Sequence, residues 1–166
     1  ERDIRCLQVT RLTETKESSS TVGTYGYDFA GRRISKTVSG PTTTTYVYDG
    51  DQVIAEYNDT TLLRKFVYGP GIDEPLIMII PAGQTNAGWY WYHYDGLGSV
   101  VALSDSSGSI VEGYSYDVFG AVTVHTGAGA DTMWLTSDDA TNGDASQYGN
   151  PYRFTGRRDS ETPRAV

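Results

Sequence analysis

The sequence predicts an all-β fold, an antiparallel ribbon of consecutive hairpins, on three observations. An aromatic residue, one spacer and a tyrosine recur five times, at Tyr25 and Tyr27, Tyr46 and Tyr48, Phe66 and Tyr68, Tyr92 and Tyr94, and Tyr114 and Tyr116. The second aromatics stand 21, 20, 26 and 22 residues apart, a period at which each unit is one supersecondary element that buries its apolar face only against its neighbours. Four of the five pairs run straight into an aspartate, and no segment sustains a helical period. Thirteen tyrosines and nineteen glycines favour strands joined by tight turns.

Taken in chain order, residues 1–20 form an N-terminal strand. Val9 to Lys16 alternates weakly, and Arg11-Leu12-Thr13-Glu14 reads as the return strand of a repeat whose own Tyr-Asp half is missing. Glu17-Ser18-Ser19-Ser20 then reads as a turn or hinge. A strand with unpaired N–H and C=O groups recruits another strand, so this segment is a candidate donor arm that completes a neighbouring sheet.

Residues 21–124 carry the repeats. Aromatics at i and i+2 share a strand face, so each pair makes one ridge. Asp28 to Gly31 and Asp117 to Gly120 place a turn-capping carboxylate ahead of a glycine suited to positive φ, and Asp49-Gly50 and Asp95-Gly96 are the shorter hairpin signal. Return strands follow at Arg33–Val38, Gln52–Tyr57 and Ser99–Leu103. Pro75 to Pro81 is a proline-bounded apolar run, too short to cross a bilayer, and is expected as a buried strand. In Trp89 to Tyr94 the tryptophans Trp89 and Trp91 share one face and the tyrosines the other, a pattern of double-sided burial or of a face that stacks on a glycan or an interface.

Residues 125–149 break the rhythm and read as an inserted loop; 150–166 are the terminal strand and tail. Asp138, Asn142 and Asp144 have the oxygen character of a calcium loop, but Ala140 occupies a ligand position and no glutamate closes the set, so neither metal nor cofactor is expected. The two histidines, His93 and His125, lie in no recognisable catalytic motif, and Asp138 and Asp139 would point to opposite faces if extended. No enzyme is expected. The net charge is −8 with no basic run, which argues against a nucleic-acid partner. The single cysteine, Cys6, cannot form an internal disulfide. Asn58-Asp59-Thr60 is a formal glycosylation sequon, and Thr42 to Thr45 a candidate O-linked tract.

Tyr25 to Arg32 reproduces aromatic-x-Tyr-Asp-x-x-Gly-Arg and resembles the tyrosine-aspartate (YD) repeat of the Rhs family. Tyr92 to Val100, Tyr114 to Gly120 and Asn150 to Asp159 resemble, in order, the Rhs repeat-associated core segment. The resemblance implies part of a spiralling β-shell outside the cytoplasm, extracellular or at a cell surface. In such shells an Asp-Pro-x-Gly-Leu motif directs release of a C-terminal toxin. That motif is absent, and the pattern is lost after Glu161. Because 166 residues make only about a dozen short strands, the expectation is a truncated, open-ended piece. Its expected role is a non-enzymatic structural protein that self-associates through sheet edges, with a shell fragment whose toxin lies elsewhere and a glycan-binding adhesin as alternatives.

Overall fold

The computed structural model describes residues 2–8, 11–38, 42–71 and 73–158, the first of these segments by backbone alone. Among the described residues the strands are β1 (Arg2–Gln8), β2 (Arg11–Glu17), β3 (Ser20–Tyr27), β4 (Arg33–Val38), β5 (Thr43–Asp49), β6 (Gln52–Asn58), β7 (Thr61–Tyr68), β8 (Pro75–Ile80), β9 (Gly88–Tyr94), β10 (Val100–Ser104), β11 (Ile110–Tyr116), β12 (Val122–Gly127) and the short β13 (Ala140–Thr141). Sheet order equals chain order from β1 to β13. The protein is all-β, an open antiparallel sheet of consecutive hairpins. The tail from 159 onward, including the departure from the repeat pattern after Glu161, lies outside the described residues, as does the side chain of Cys6.

One turn recurs. After Asp28, Asp95, Asp105 and Asp117 the backbone closes the same way: the aspartate N–H donates to the carbonyl four residues on, and the glycine three residues on donates back to the aspartate carbonyl. The carboxylate accepts the N–H of residue i+4 in every case, at 2.8–3.1 Å. Gly31, Gly98, Gly108 and Gly120 all take φ between +79° and +89°, where a Cβ is strained. Three of these turns follow the aromatic repeats; the Asp105 turn joins β10 to β11 on its own.

The second tyrosine of a repeat also has a fixed task. Tyr27 donates its hydroxyl to Leu12 O at 2.8 Å, Tyr48 to Arg33 O at 2.8 Å and Tyr116 to Val100 O at 2.7 Å, and Tyr94 donates to Pro75 O. Four ridges are thus tied to a return strand one hairpin earlier, while the Tyr68 hydroxyl meets that of Tyr152 instead; the first aromatic goes to the core in all five, where Tyr25, Tyr46, Phe66, Tyr92 and Tyr114 are buried.

Two compact units divide the chain, one ending at Lys65 and the other beginning at Phe66. In the first, β1 pairs with β2 and β2 with β3, so residues 2–8 and 11–17 are hairpin strands of their own sheet. Its ridges are covered by cations: the Arg32 guanidinium lies 4.8 Å from the Tyr48 ring centre, and that of Arg33 5.7 and 5.8 Å from Tyr25 and Tyr46. The second unit has an apolar core of Phe66, Met78, Ile80, Tyr90, Tyr92, Val100, Leu103, Tyr114, Val124 and Tyr152. Tyr152 arrives from beyond the insertion and meets Phe66, Tyr68 and Tyr92 edge-on, at 5.2, 6.1 and 6.1 Å.

Candidate functional site

In the second unit, β11 and β12 bury Tyr114 and Val124 on one face. By the two-residue alternation the opposite face carries Gly113, Ser115, Thr123 and His125. Cross-strand pairing runs His93, Ala102, Gly113, His125 and Thr141 in one row across β9 to β13. The middle of the row is occupied by two small residues, and the insertion packs there. A Cβ on Gly113 would stand 2.9 Å from Leu135 Cδ2 and 3.2 Å from Trp134 Cε3, so glycine lets the loop press onto the sheet. The segment expected to be a solvated loop from 125 to 149 is therefore partly sheet: His125 to Gly127 belong to β12 and Ala140–Thr141 to β13.

Asp139 holds the loop in place. Its Oδ2 accepts the Leu135 N–H at 2.7 Å and Nδ1 of His125 at 2.8 Å, and its Oδ1 accepts the Thr136 hydroxyl at 3.1 Å and the Gly129 N–H at 3.3 Å. The carboxylate is wholly buried. Burial pushes its pKa up, but the donors from Leu135, Thr136, Gly129 and His125 outweigh that and hold it below the usual aspartate range. Thr132 and Leu135 take φ of +60° and +66°, conformations that side chains of this kind adopt only when the surroundings impose them. Asp138 and Asp139, expected on opposite faces, both accept the Thr136 hydroxyl, because the segment is a tight loop and not extended.

On its other side His125 meets Ser115, whose Oγ is 2.8 Å from Nε2. Asp139 requires a proton on Nδ1, which leaves Nε2 of the neutral ring as acceptor for the serine O–H. The result is a hydroxyl, an imidazole and a carboxylate in line, with Ser115 half-buried, His125 buried and Asp139 fully enclosed. That is the order of groups that activates a serine nucleophile. Sequence reasoning placed His125 at the mouth of the insertion without a partner. Its partners lie ten residues before and fourteen after, and only the return of the loop brings them together.

The remaining candidates are placed as follows. His93 faces away from the tyrosine ridge and sits 2.8 Å from Ser104 Oγ. Trp89 is 54% exposed and lies 6.4 Å from Trp91 on the same face, while Tyr90 packs against Tyr148 on the other at 4.6 Å. Asn142 donates its amide to Ala145 O, and Asp144 offers its carbonyl to the buried Arg153.

A second cluster lies on the core face. Glu112, fully buried, accepts the Ser146 hydroxyl at 2.6 Å, the Gln147 N–H at 2.7 Å and the Tyr114 hydroxyl. Burial pushes its carboxyl up, against these hydrogen bonds and the nearby Arg153. Asn150, also fully buried, accepts from Tyr92 at 2.8 Å and donates to Tyr152 O at 2.9 Å. The chain from 128 to 158 thus covers the sheet twice, with 128–139 on the histidine face and 146–153 on the tyrosine face.

No family model matches the chain. It is similar to three curated proteins: the tRNA3(Ser)-specific nuclease WapA of Bacillus spizizenii, 39% identical over 103 residues; the tRNA(Glu)-specific nuclease WapA of Bacillus subtilis subsp. natto, 37% over 103; and the tRNA nuclease WapA of Bacillus subtilis strain 168, 36% over 108. Each match takes in 60% of this chain, and the chain spans about 4% of the length of these relatives. The names of the relatives overturn the expectation of a non-enzymatic, self-associating structural or filament protein, and with it the expectations of no enzyme and of no nucleic-acid partner. Charge misled for a physical reason: the net charge of −8 belongs to 166 residues, and the substrate of a relative about fifteen times longer is not set by the charge of one segment. No helix among the described residues is long and apolar enough to cross a membrane.

Proposed function

We propose that this chain is a YD-repeat segment of a bacterial nuclease of the Rhs type, whose whole protein acts on tRNA outside the cell that makes it. The observation that carries this is the 36–39% identity to three proteins each named as a tRNA nuclease. The architecture supports it: hairpins recurring every 20 to 26 residues, several closed by the same aspartate turn and four tied by the same tyrosine hydrogen bond, make a sheet that continues by repetition.

The test is cleavage of purified tRNA by the complete gene product, with the 166 residues alone in parallel, read on denaturing gels. Cleavage by the complete product with none by the segment is the expected result. A folded complete product that leaves every tRNA intact overturns the reading.

A further inference from the structure

We propose that Ser115, His125 and Asp139 form a nucleophile, base and orienting acid that hydrolyse esters with an apolar acyl group. This activity is separate from the nuclease reading and does not rest on it. The proposal stands on three features of the outer face of β11 and β12. The first is the polarity of the relay: Ser115 Oγ lies 2.8 Å from Nε2 and Asp139 Oδ2 lies 2.8 Å from Nδ1, the assignment in which the ring takes the serine proton and the carboxylate steadies the resulting imidazolium.

The second is the graded burial, from a half-buried hydroxyl to a fully enclosed carboxylate. A network serving stability alone has no need of an accessible hydroxyl at one end. The enclosed carboxylate is held by loop donors at Leu135, Thr136 and Gly129 as well as by the histidine, and this fixes the ring against it. The third is the surroundings of Ser115. Thr123 is its direct cross-strand partner and is exposed on the same face, which puts a second hydroxyl-bearing residue beside Ser115. Trp134 and Leu135 lie over Gly113, two residues from Ser115 on that face, and Met133 is 62% exposed next to them, an apolar wall for the acyl chain.

The reaction closes without a co-reactant other than water. Ser115 Oγ attacks the acyl carbon while its proton passes to Nε2. The ester C–O bond breaks, and the alkoxide takes that proton and leaves as the alcohol. Water then attacks the acyl-serine ester, giving its proton to Nε2. The acid departs as Ser115 Oγ recovers the proton.

The experiment is covalent labelling of the folded 166-residue chain with an alkyl fluorophosphonate, located by mass spectrometry of peptides, together with release of p-nitrophenol from acetate and hexanoate esters. The expected result is one adduct, on Ser115, lost in Ser115→Ala and slowed at least about a hundredfold in His125→Ala. His93→Ala leaves labelling unchanged, because the pair of His93 and Ser104 stands outside the relay. As Asp139 acts through His125, Asp139→Asn is expected to lower kcat for the hexanoate ester and leave its KM unchanged, a split that mere loosening of the loop would not give. Circular dichroism confirms the β-sheet in each variant. No adduct on Ser115 of the folded wild-type chain overturns the proposal, whatever the variants do. So does an adduct formed equally fast in a folded His125→Ala protein.

Discussion

Ser146 donates its hydroxyl to Glu112 Oε2 at 2.6 Å, joining the chain beyond the insertion to a strand residue 34 positions earlier. The same carboxylate accepts Tyr114 and the Gln147 N–H, so three donors in the covered face depend on one side chain. Glu112→Ala leaves them without an acceptor and opens a cavity. The expected loss is about 3 kcal/mol, read by urea denaturation. Glu112→Gln keeps the volume and an acceptor oxygen, and is expected to cost about 1 kcal/mol or less at acidic pH.

The pH dependence of that site has a definite sign. Burial raises the folded-state pKa of Glu112 above its unfolded value, so its contribution is fully present below the usual glutamate range and is lost as pH rises through the folded value. Asp105 behaves oppositely. The Ser107 hydroxyl and the Ser107 and Ser109 N–H groups hold its carboxyl below the usual range, so its contribution is present above that range and disappears as pH falls. Urea midpoints measured from pH 3 to 8 should show Glu112→Gln removing the decline toward neutral pH, and Asp105→Asn removing part of the decline toward acid. The same slope in wild type and variant would sink either assignment.

Gly98 and Gly120 separate backbone strain from crowding. Both sit at the same turn position, with φ of +79° and +83°. A Cβ on Gly98 meets nothing within 4 Å, whereas one on Gly120 stands 2.9 Å from the Phe154 ring. Alanine at Gly98 is expected to cost about 1 kcal/mol. Alanine at Gly120 should cost about 1 kcal/mol more, because Phe154 packs against Tyr116 at 5.5 Å and has to give way. Equal thermal shifts for the two variants would show that Phe154 moves freely.

The strands and turns were legible because their signals are local. A two-residue alternation such as Tyr114 with Tyr116 fixes a face, and Asp117 to Gly120 carries a whole turn within four residues. The Asp105 turn uses the same aspartate-to-glycine spacing but follows Leu103-Ser104 instead of an aromatic pair, so the aromatic repeat does not reveal it. The relay was not legible. Ser115 and His125 look like ordinary strand residues, and Asp139 like part of a polar loop, until Gly113 lets Trp134 and Leu135 close onto the sheet. Glu112 was equally silent, because an acidic residue at strand spacing reads as solvent-facing and becomes a core residue only once Ser146 and Gln147 return over it.

The second tyrosine of three repeats gives the last prediction. Tyr27, Tyr48 and Tyr116 each donate to a backbone carbonyl 15 or 16 residues earlier. The carbonyl belongs to a return strand, so the bond crosses from one hairpin to the previous one and adds to the ladder. Replacement by phenylalanine keeps the ring and its packing and removes only that bond. Tyr116→Phe is expected to cost about 1 kcal/mol and to speed amide exchange in β10, whose Val100 carbonyl is the acceptor. Tyr48→Phe should cost a similar amount and act on β4 through Arg33 O. Because the two lie in different compact units, their effects should add to within about 0.5 kcal/mol. Unchanged exchange in β10 of Tyr116→Phe would mean that the tyrosine ridge works through ring packing alone, and that its hydroxyl adds nothing to the repeat.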